Sequence, residues 1–423
     1  MSLPDNYYLT TVRDRKSYPV LTGAHDVDVC IVGAGLAGVN TAYALAERGK
    51  KVALVEQHHV GYGASGRLAG FVAKGYGAGE AALLKKLGRQ KARALVDLTK
   101  QARKTIKARA EKHGLAQGSF VDGVLTVSLR ENAEKVQDYI KKQNDNFDLG
   151  LEFWSTEKVR EHCKTEKYYG GVYAPNDFQM NPVQYLHGLA RAVSNRGGMI
   201  FESSPVKTIS KDGTGWKVET QDGSIKAKDI VMSCACYSQG LDKRLENSVI
   251  PVQTYIMVSE PLQEDVWQSA INTRHAIYDT RFCSDYYRRL PDNRLLWGGR
   301  VGLVAHPTDI ADAMLEDMHR LYPQLRGKVK PAFAWGGMLA YPTHKMPQIG
   351  KFEQGYWYNT GYGGHGLCPT TVGGEVVAAA IAEGDRAYEQ FAPFGVQYNG
   401  GRLGRYAAYG IYLWWRLRDE LNI

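Results

Sequence analysis

Asp28-Val29-Cys30-Ile31-Val32-Gly33-Ala34-Gly35-Leu36-Ala37-Gly38 is the stretch that decides the fold. Residues 26–32 form a short apolar run rich in β-branched side chains, as suits a strand buried on both faces. A glycine turn follows. Residues 36–48 then carry Ala and Leu at helical spacing, Gly49 closes that helix, and 51–55 reads as a second buried strand. In such a βαβ unit Gly33 permits the tight turn, Gly35 lets the backbone approach a pyrophosphate, and Gly38 lets helix and strand pack closely. The helix start at Leu36 and Ala37 offers amides and a partial positive charge to phosphate. Glu56 ends the second strand, where a carboxylate accepts hydrogen bonds from ribose hydroxyls, and Gln57 stands beside it.

Just past this acid lies a second glycine-rich loop, Gly61-Tyr62-Gly63-Ala64-Ser65-Gly66-Arg67-Leu68-Ala69-Gly70. The first motif alone does not choose between NAD and FAD. Three features favour FAD: the unit stands near the start of the chain, one such fingerprint is present, and the second loop supplies close-approach glycines where a longer cofactor would continue.

Further along, helices extend to about His113, and a strand near 121–129 and a helix near 132–144 leave the dinucleotide fold for a second lobe. Met180-Asn181-Pro182 opens a helix to about 196, and short strands near 199–202, 206–210, 215–220 and 230–234 return to the first lobe. Residues 251–333 alternate apolar and polar with many aromatics, as an antiparallel sheet would. Residues 355–366 make a third visit, and an aromatic amphipathic helix ends the chain at 406–421. The expected fold is α/β (α+β overall), with a Rossmann-like FAD-binding domain from 25–75, 165–240 and 335–390. An antiparallel-sheet substrate or cap domain from 76–164 and 241–334 interleaves with it, and 391–423 is a helical tail. Order is expected everywhere except the first twenty or so residues.

With 423 residues, two lobes are expected, and 44% hydrophobic with 23% charged residues is ordinary for a globular chain with a buried core. No apolar run approaches the roughly 18 residues of a membrane span, and the N-terminus lacks the regions of a signal peptide, so a cytoplasmic protein is expected. Cys30, Cys163, Cys234, Cys236, Cys283 and Cys368 lack metal-site spacing and read as free thiols, with no metal expected. Eleven Lys/Arg against three Asp/Glu between Glu80 and Lys112 account for nearly all of the net +9. This is read as a solvated helix face in preference to an anion-steering surface. No aromatic residue interleaves these charges before Phe120, so no nucleic-acid partner is expected.

A third glycine loop, Gly361-Tyr362-Gly363-Gly364-His365-Gly366-Leu367, runs through Pro369, Thr370 and Thr371, which are good helix starters, into an apolar helix at 372–381. The three loops in this order, with Tyr7-Tyr8 in the preamble, resemble the FAD-dependent D-amino-acid oxidase superfamily, and within it the γ-glutamylputrescine oxidase-like branch. The resemblance covers nearly the whole chain. One position departs: that branch usually carries Asn where Leu68 stands.

The resemblance implies oxidation of an amine or amino acid to an imine, with hydride passing to flavin N5 and O2 as the expected acceptor. The alternative is a dehydrogenase feeding a quinone or other carrier. It also implies that the third loop aims a helix N-terminus at the pyrimidine end of the flavin, through Gly364, His365, Gly366 and Leu367. Gly63, Ala64, Ser65, Gly66, Arg67, Leu68, Ala69 and Gly70 are taken as cofactor contacts, with Val206, Cys234 and Gly337 further along. Trp335-Gly336-Gly337-Met338-Leu339-Ala340-Tyr341 has no Cys where some relatives attach FAD, so non-covalent FAD is expected; His344 is the alternative attachment point. The strand Arg294-Leu295-Leu296-Trp297-Gly298-Gly299-Arg300 lacks the Lys that some oxidases place over the flavin. His365 and Arg300 are the candidate reactive residues, Arg300 as a bidentate partner of a substrate carboxylate. Phe71, Tyr255, Tyr287 and Trp335 are candidate substrate-pocket walls. The tail containing Tyr412-Leu413-Trp414-Trp415 is expected to dock on its own domain in preference to a membrane.

Overall fold

The computed structural model describes residues 6–12, 15–238, 240–281, 284–302 and 307–421. Cys283 lies outside the described residues. The run 26–32 becomes the strand Gly23–Val32, whose inner four residues are buried on both faces. It pairs in parallel with Val52–Val55 on one side and Gly223–Met232 on the other. Tyr356–Thr360 and Met199–Phe201 extend the parallel array, and Gln348–Glu353 closes one edge antiparallel. Among the described residues this sheet has eight strands, because the hairpin Thr208–Asp212 and Gly215–Glu219 joins it through Gly223–Met232.

The helix Leu36–Glu47 lies on this sheet and is buried through its first ten residues. Leu367–Glu383 and Pro182–Asn195 cover it. A side chain at Gly374 would meet the Asn40 backbone at 2.7 Å, so the close approach of the first two helices depends on that glycine. Asn181 caps Pro182–Asn195, its side chain accepting from Val183 and Gln184.

The second sheet has nine strands among the described residues and is mostly antiparallel. Its order is Pro331–Tyr341, Ile250–Pro261, Arg294–Gly302, Tyr286–Arg289, Ala276–Asp279, Val121–Ser128, Tyr169–Gln179 and Phe71–Val72, with Glu152–Trp154 on Tyr169–Gln179. The sheets therefore divide the chain differently from the expected 165–240 and 335–390. Tyr169–Gln179 pairs with Val121–Ser128, and Pro331–Tyr341 pairs along its whole length with Ile250–Pro261. Phe71–Val72 also belongs here. Strand character is local, whereas the partner of a strand is set by distant residues.

The described residues 6–12 differ from the expectation of disorder. Tyr7 and Tyr8 are buried in the short helix Tyr7–Thr11, against Trp335 and Phe333. Asn6 Nδ2 donates to Gly66 O at 2.7 Å and the Tyr8 hydroxyl to Ala69 O at 3.2 Å, so this segment clamps the second glycine loop. The basic stretch Glu80–His113 is two helical pieces joined at a kink, with non-helical backbone at Gly88. Lys85, Lys86, Arg89 and Lys91 are exposed, while Arg103 and Arg109 turn inward. The tail is the helix Gly401–Leu421; it meets the strand Ile250–Pro261, Leu403, Tyr406, Ile411, Leu413 and Trp414 are exposed, and the side chains of Tyr412 and Trp415 lie outside the described residues. Among the described residues no helix is long and apolar enough to cross a membrane.

Candidate functional site

Three loops meet where the parallel strands end. Gly33 N–H donates to Val55 O at 2.9 Å and Ser233 N–H to Val32 O at 2.9 Å, which ties the ends of three strands together. Gly33 has φ +103°, and a side chain there would stand 2.7 Å from Ser233 O. A side chain at Gly38 would overlap Gly33 O, so the helix can leave the strand this closely only from glycine. Gly61 N–H donates to Ala34 O at 3.1 Å, and Leu36 N–H donates to Ser65 Oγ at 2.9 Å. The second loop is thereby laid against the first turn of the helix.

Between these loops opens a cleft whose lining includes both Glu56 and His365. Of the expected cofactor contacts, Gly33, Gly35, Leu36, Ala37, Glu56, Gln57, Gly63, Ala64, Ser65, Leu68, Val206, Cys234, Gly364, His365 and Gly366 line it. Gly38, Gly66, Arg67, Ala69, Gly70, Gly337 and Leu367 lie behind the lining. Gly70 has φ +85° and packs on Met180 O, and Ala69 O accepts from Arg288 Nε at 2.7 Å. Arg67 donates to Tyr62 O and Gly336 O, holding the loop to the second sheet at the strand that carries Gly337.

The cleft sets a few fixed polar groups in a mostly apolar lining. Glu56 accepts from the amides of Ala34 (2.8 Å) and His58 (3.0 Å), which fixes its carboxylate at the strand end. Ser233 Oγ lines the cleft, buried and without a hydrogen-bond partner in the protein, so a guest must satisfy it. On the third loop Gly361, Gly363 and Gly364 have φ of +67°, +58° and +85°. They bring main chain to the cleft wall and deliver the N-terminus of Leu367–Glu383, a helix without a side-chain cap and without an acidic residue in its first turn. Gly33, Gly35, the open helix start and Ser233 Oγ together fit a dinucleotide held at both ends. His344 Nδ1 accepts from Met346 N–H within its own turn, and Nε2 faces Gly395 O at 3.3 Å.

His365 faces the open cleft. Desolvation by the protein around it, followed by the charge of Lys74, lowers its pKa against the opposing effect of Asp177. Leu68, standing where Asn was expected from the resemblance, puts its Cδ1 3.7 Å from the side-chain position of Gly366, so this wall is apolar.

The second sheet corrects four of the expected substrate residues. Arg300 Nε donates to Asp317 Oδ2 at 2.5 Å and Nη2 donates to Asp317 Oδ1 at 2.9 Å, so its bidentate partner is a carboxylate of the protein's own helix Pro307–Leu321. Tyr287 stacks on Trp297 at 4.4 Å, and its hydroxyl meets those of Tyr168 and Tyr322 in the core behind the sheet. Tyr255 is buried in that same core. Trp335 lies on the other face but is an anchor, its Nε1 donating to Arg67 O at 3.0 Å. Phe71 is half-buried and meets the edge of Tyr286 at 6.1 Å. Tyr286 is the residue that sequence reasoning missed. Its ring lies where a side chain of Gly298 would stand, and the neighbouring Arg288 on the same face grips Ala69 O. Period-two alternation from Arg288 was the available signal. Tyr341 was missed too; its hydroxyl packs against Gly364, on the loop of His365.

The chain is similar to known proteins over most of its length. The family described as FAD dependent oxidoreductase matches residues 28–380. A probable oxidoreductase named OrdL from Haemophilus influenzae is 31% identical over 94% of this chain and 93% of its own length. A gamma-glutamylputrescine oxidoreductase from Escherichia coli is 28% identical over 99% of both. Among solved structures, glycine oxidase from Bacillus cereus superposes with a TM-score of 0.72 at 21% identity, over 87% of this chain and 98% of that one.

Proposed function

Because the chain belongs to the FAD dependent oxidoreductase family, we propose that it oxidises a C–N bond of an amine or amino acid to an imine. The bound flavin would supply the hydride acceptor, N5. The observation that carries this reading is His365 in the cleft lining, on a loop of positive-φ glycines. An amine gives up hydride readily from the carbon beside a neutral nitrogen. An imidazole held neutral accepts a proton or a hydrogen bond from that nitrogen. Tyr341, whose hydroxyl packs against Gly364 on the His365 loop, and the edge-to-face pair Phe71 and Tyr286 would serve as aromatic walls that orient the reacting carbon and exclude water. The names of the relatives, a gamma-glutamylputrescine oxidoreductase and a glycine oxidase, support an amine or amino-acid substrate.

The reading includes non-covalent FAD, since Trp335–Tyr341 contains no Cys and His344 is held in its own turn. It takes O2 as the acceptor. The test is the visible spectrum of the purified protein, followed by anaerobic addition of a panel of amines and amino acids. Bleaching by at least one of them, with hydrogen peroxide released under air, is expected. A protein that refuses FAD, or a panel that leaves the flavin oxidised, refutes the reading; bleaching without peroxide moves the acceptor to a quinone or other carrier.

A further inference from the structure

We propose that the helix Gly401–Leu421 is the interface of a dimer, in which it crosses the same helix of a second copy antiparallel at Gly410. This goes beyond the amine-oxidising reading and does not depend on it.

Among the described residues eight large hydrophobic side chains are exposed. Six of them, Tyr398, Leu403, Tyr406, Ile411, Leu413 and Trp414, stand at this one end of the chain. Single exposed hydrophobics scatter over a surface, whereas a crowd of them marks an interaction site. Within the helix, Leu403, Tyr406, Ala407, Gly410, Ile411 and Trp414 are all exposed and follow one another by steps of one, three or four residues, which places them on one face. None of them is charged. The helix meets the strand Ile250–Pro261, and this stripe is what that contact leaves uncovered.

Gly410 identifies the occupant. It is not among the positive-φ glycines, and a side chain there would meet nothing within 4 Å. One copy of the fold thus has no use for a glycine that weakens a helix interior relative to alanine. Its neighbours differ: a side chain at Gly404 would strike Asn399 O, and Gly401 has φ +58°. A flat spot in mid-helix serves a second helix whose backbone approaches closely. Fluid lipid tails fill around any side chain and need no such spot.

The stripe also matches itself, as a two-fold interface requires. Small Ala407 and Gly410 lie between Leu403 and Tyr406 on one side and Ile411, Leu413 and Trp414 on the other. In an antiparallel crossing at Gly410 each Tyr406 lies toward the other copy's Trp414, and each Leu413 toward the other copy's Ala407. Charge selects the same direction. The helix opens on Arg402 and Arg405, whereas near its end Asp419 and Glu420 balance Arg416 and Arg418. Antiparallel copies set a positive end against a neutral one; parallel copies would set positive against positive. Covering the six exposed side chains in both copies removes on the order of 1,500 Å² from water, the size of an interface that holds a stable dimer. No residue of the cleft lining belongs to this helix, so assembly can be read apart from turnover.

The test is the mass of the FAD-loaded full-length enzyme by sedimentation velocity over a concentration series, with a dimer expected for wild type. Gly410→Leu fills the crossing point where the single chain has room for a side chain. FAD content and melting temperature should therefore stay at wild type while self-association weakens about 30-fold or more, the effect of losing a central contact. Trp414→Glu should weaken it too. Mild oxidation of Gly410→Cys should link two copies, because a residue on the two-fold axis meets its own twin; Tyr406→Cys, off the axis, should not link. The proposal is overturned by a wild-type monomer at every concentration, by a dimer indifferent to Gly410→Leu, or by a Tyr406→Cys link as complete as that of Gly410→Cys. It is equally overturned if a monomer sediments with vesicles of phosphatidylcholine and phosphatidylglycerol and Trp414→Glu abolishes this, which would give the face to a membrane.

Discussion

The amide of Ala34 donates to Glu56 Oε2 at 2.8 Å, across the turn that joins the first strand to its helix. The acid at the end of the second strand thus serves the protein before any ligand arrives. Its other oxygen accepts from His58 N–H at 3.0 Å. An Asn or Gln in that place would have to turn one NH2 group toward a backbone N–H.

Glu56→Gln is therefore expected to weaken FAD binding by roughly tenfold or more, since it weakens a charged acceptor for the loop amide as well as for the ribose. Retention of FAD during dialysis, or flavin fluorescence on titration of the apoprotein, reads this directly. Unchanged FAD affinity would deny Glu56 both roles.

Ser233→Ala separates ligand binding from folding. The hydroxyl is buried without a partner, so its loss should leave the melting temperature of the FAD-free protein unchanged or slightly raised. FAD affinity should fall by about 1 kcal/mol, or about fivefold, if the cofactor supplies the missing hydrogen bond. Equal affinity for FAD would place the serine away from the ligand.

His365 gives a pH signature. Burial and Lys74 hold its pKa below the usual 6.5, so the neutral imidazole dominates at neutral pH and protonates only in more acid solution. Flavin reduction by substrate should lose rate as pH falls through that region. His365→Gln should remove this acid limb and slow reduction by about 100-fold if the imidazole takes the amine proton. A variant whose pH profile overlays wild type would leave His365 as wall only.

Asp285 predicts a pH-dependent stability. Burial, with the charges of Asp279 and Asp317, raises its pKa from 3.8 to about 7 against the pull of Arg281. The folded state therefore holds a proton that the unfolded chain has released. Its contribution is complete below about pH 4 and is lost as pH rises through about 7. Asp285→Asn should flatten that decline and stabilise the protein at pH 8 by on the order of 2 kcal/mol, discounted from the full shift because Arg281 is shared. Urea midpoints at pH 5 and pH 8 decide it; parallel shifts at both would refute the assignment.

Gly298→Ala probes the substrate wall. The new methyl would fall within the ring of Tyr286, so the ring must move. Overpacking of this kind costs about 1–3 kcal/mol, and KM should rise while FAD content stays at the wild-type level. Lost FAD would show instead that the two sheets are not separable in this way.

Much of the cofactor side was legible because it is written in backbone requirements. Gly33, Gly38 and the glycines of 361–364 stand where φ is positive or where a side chain would strike main chain, and such needs are local. The substrate side was not. Tyr286 and Tyr287 differ by one residue, yet one faces Phe71 and the other the Trp297 core, a choice set by register with strands far away in sequence. Arg300 has glycines before it and looks crowded in the sequence, but its partner Asp317 lies on a helix whose approach the sequence does not reveal.

The parallel sheet takes its strands from residues near 23–55, near 199–232 and near 356–360. On the ribosome, the fingerprint at Gly33 emerges early with nothing to close over it. The strand that borders Gly223–Met232 and the glycine loop bearing His365 come more than three hundred residues later. Loading of the flavin therefore waits until the residues near 356–367 have been made, and until then a β edge stays open to wrong partners. A cell short of the flavin would meet this as lost yield of folded chain before it met it as lost turnover.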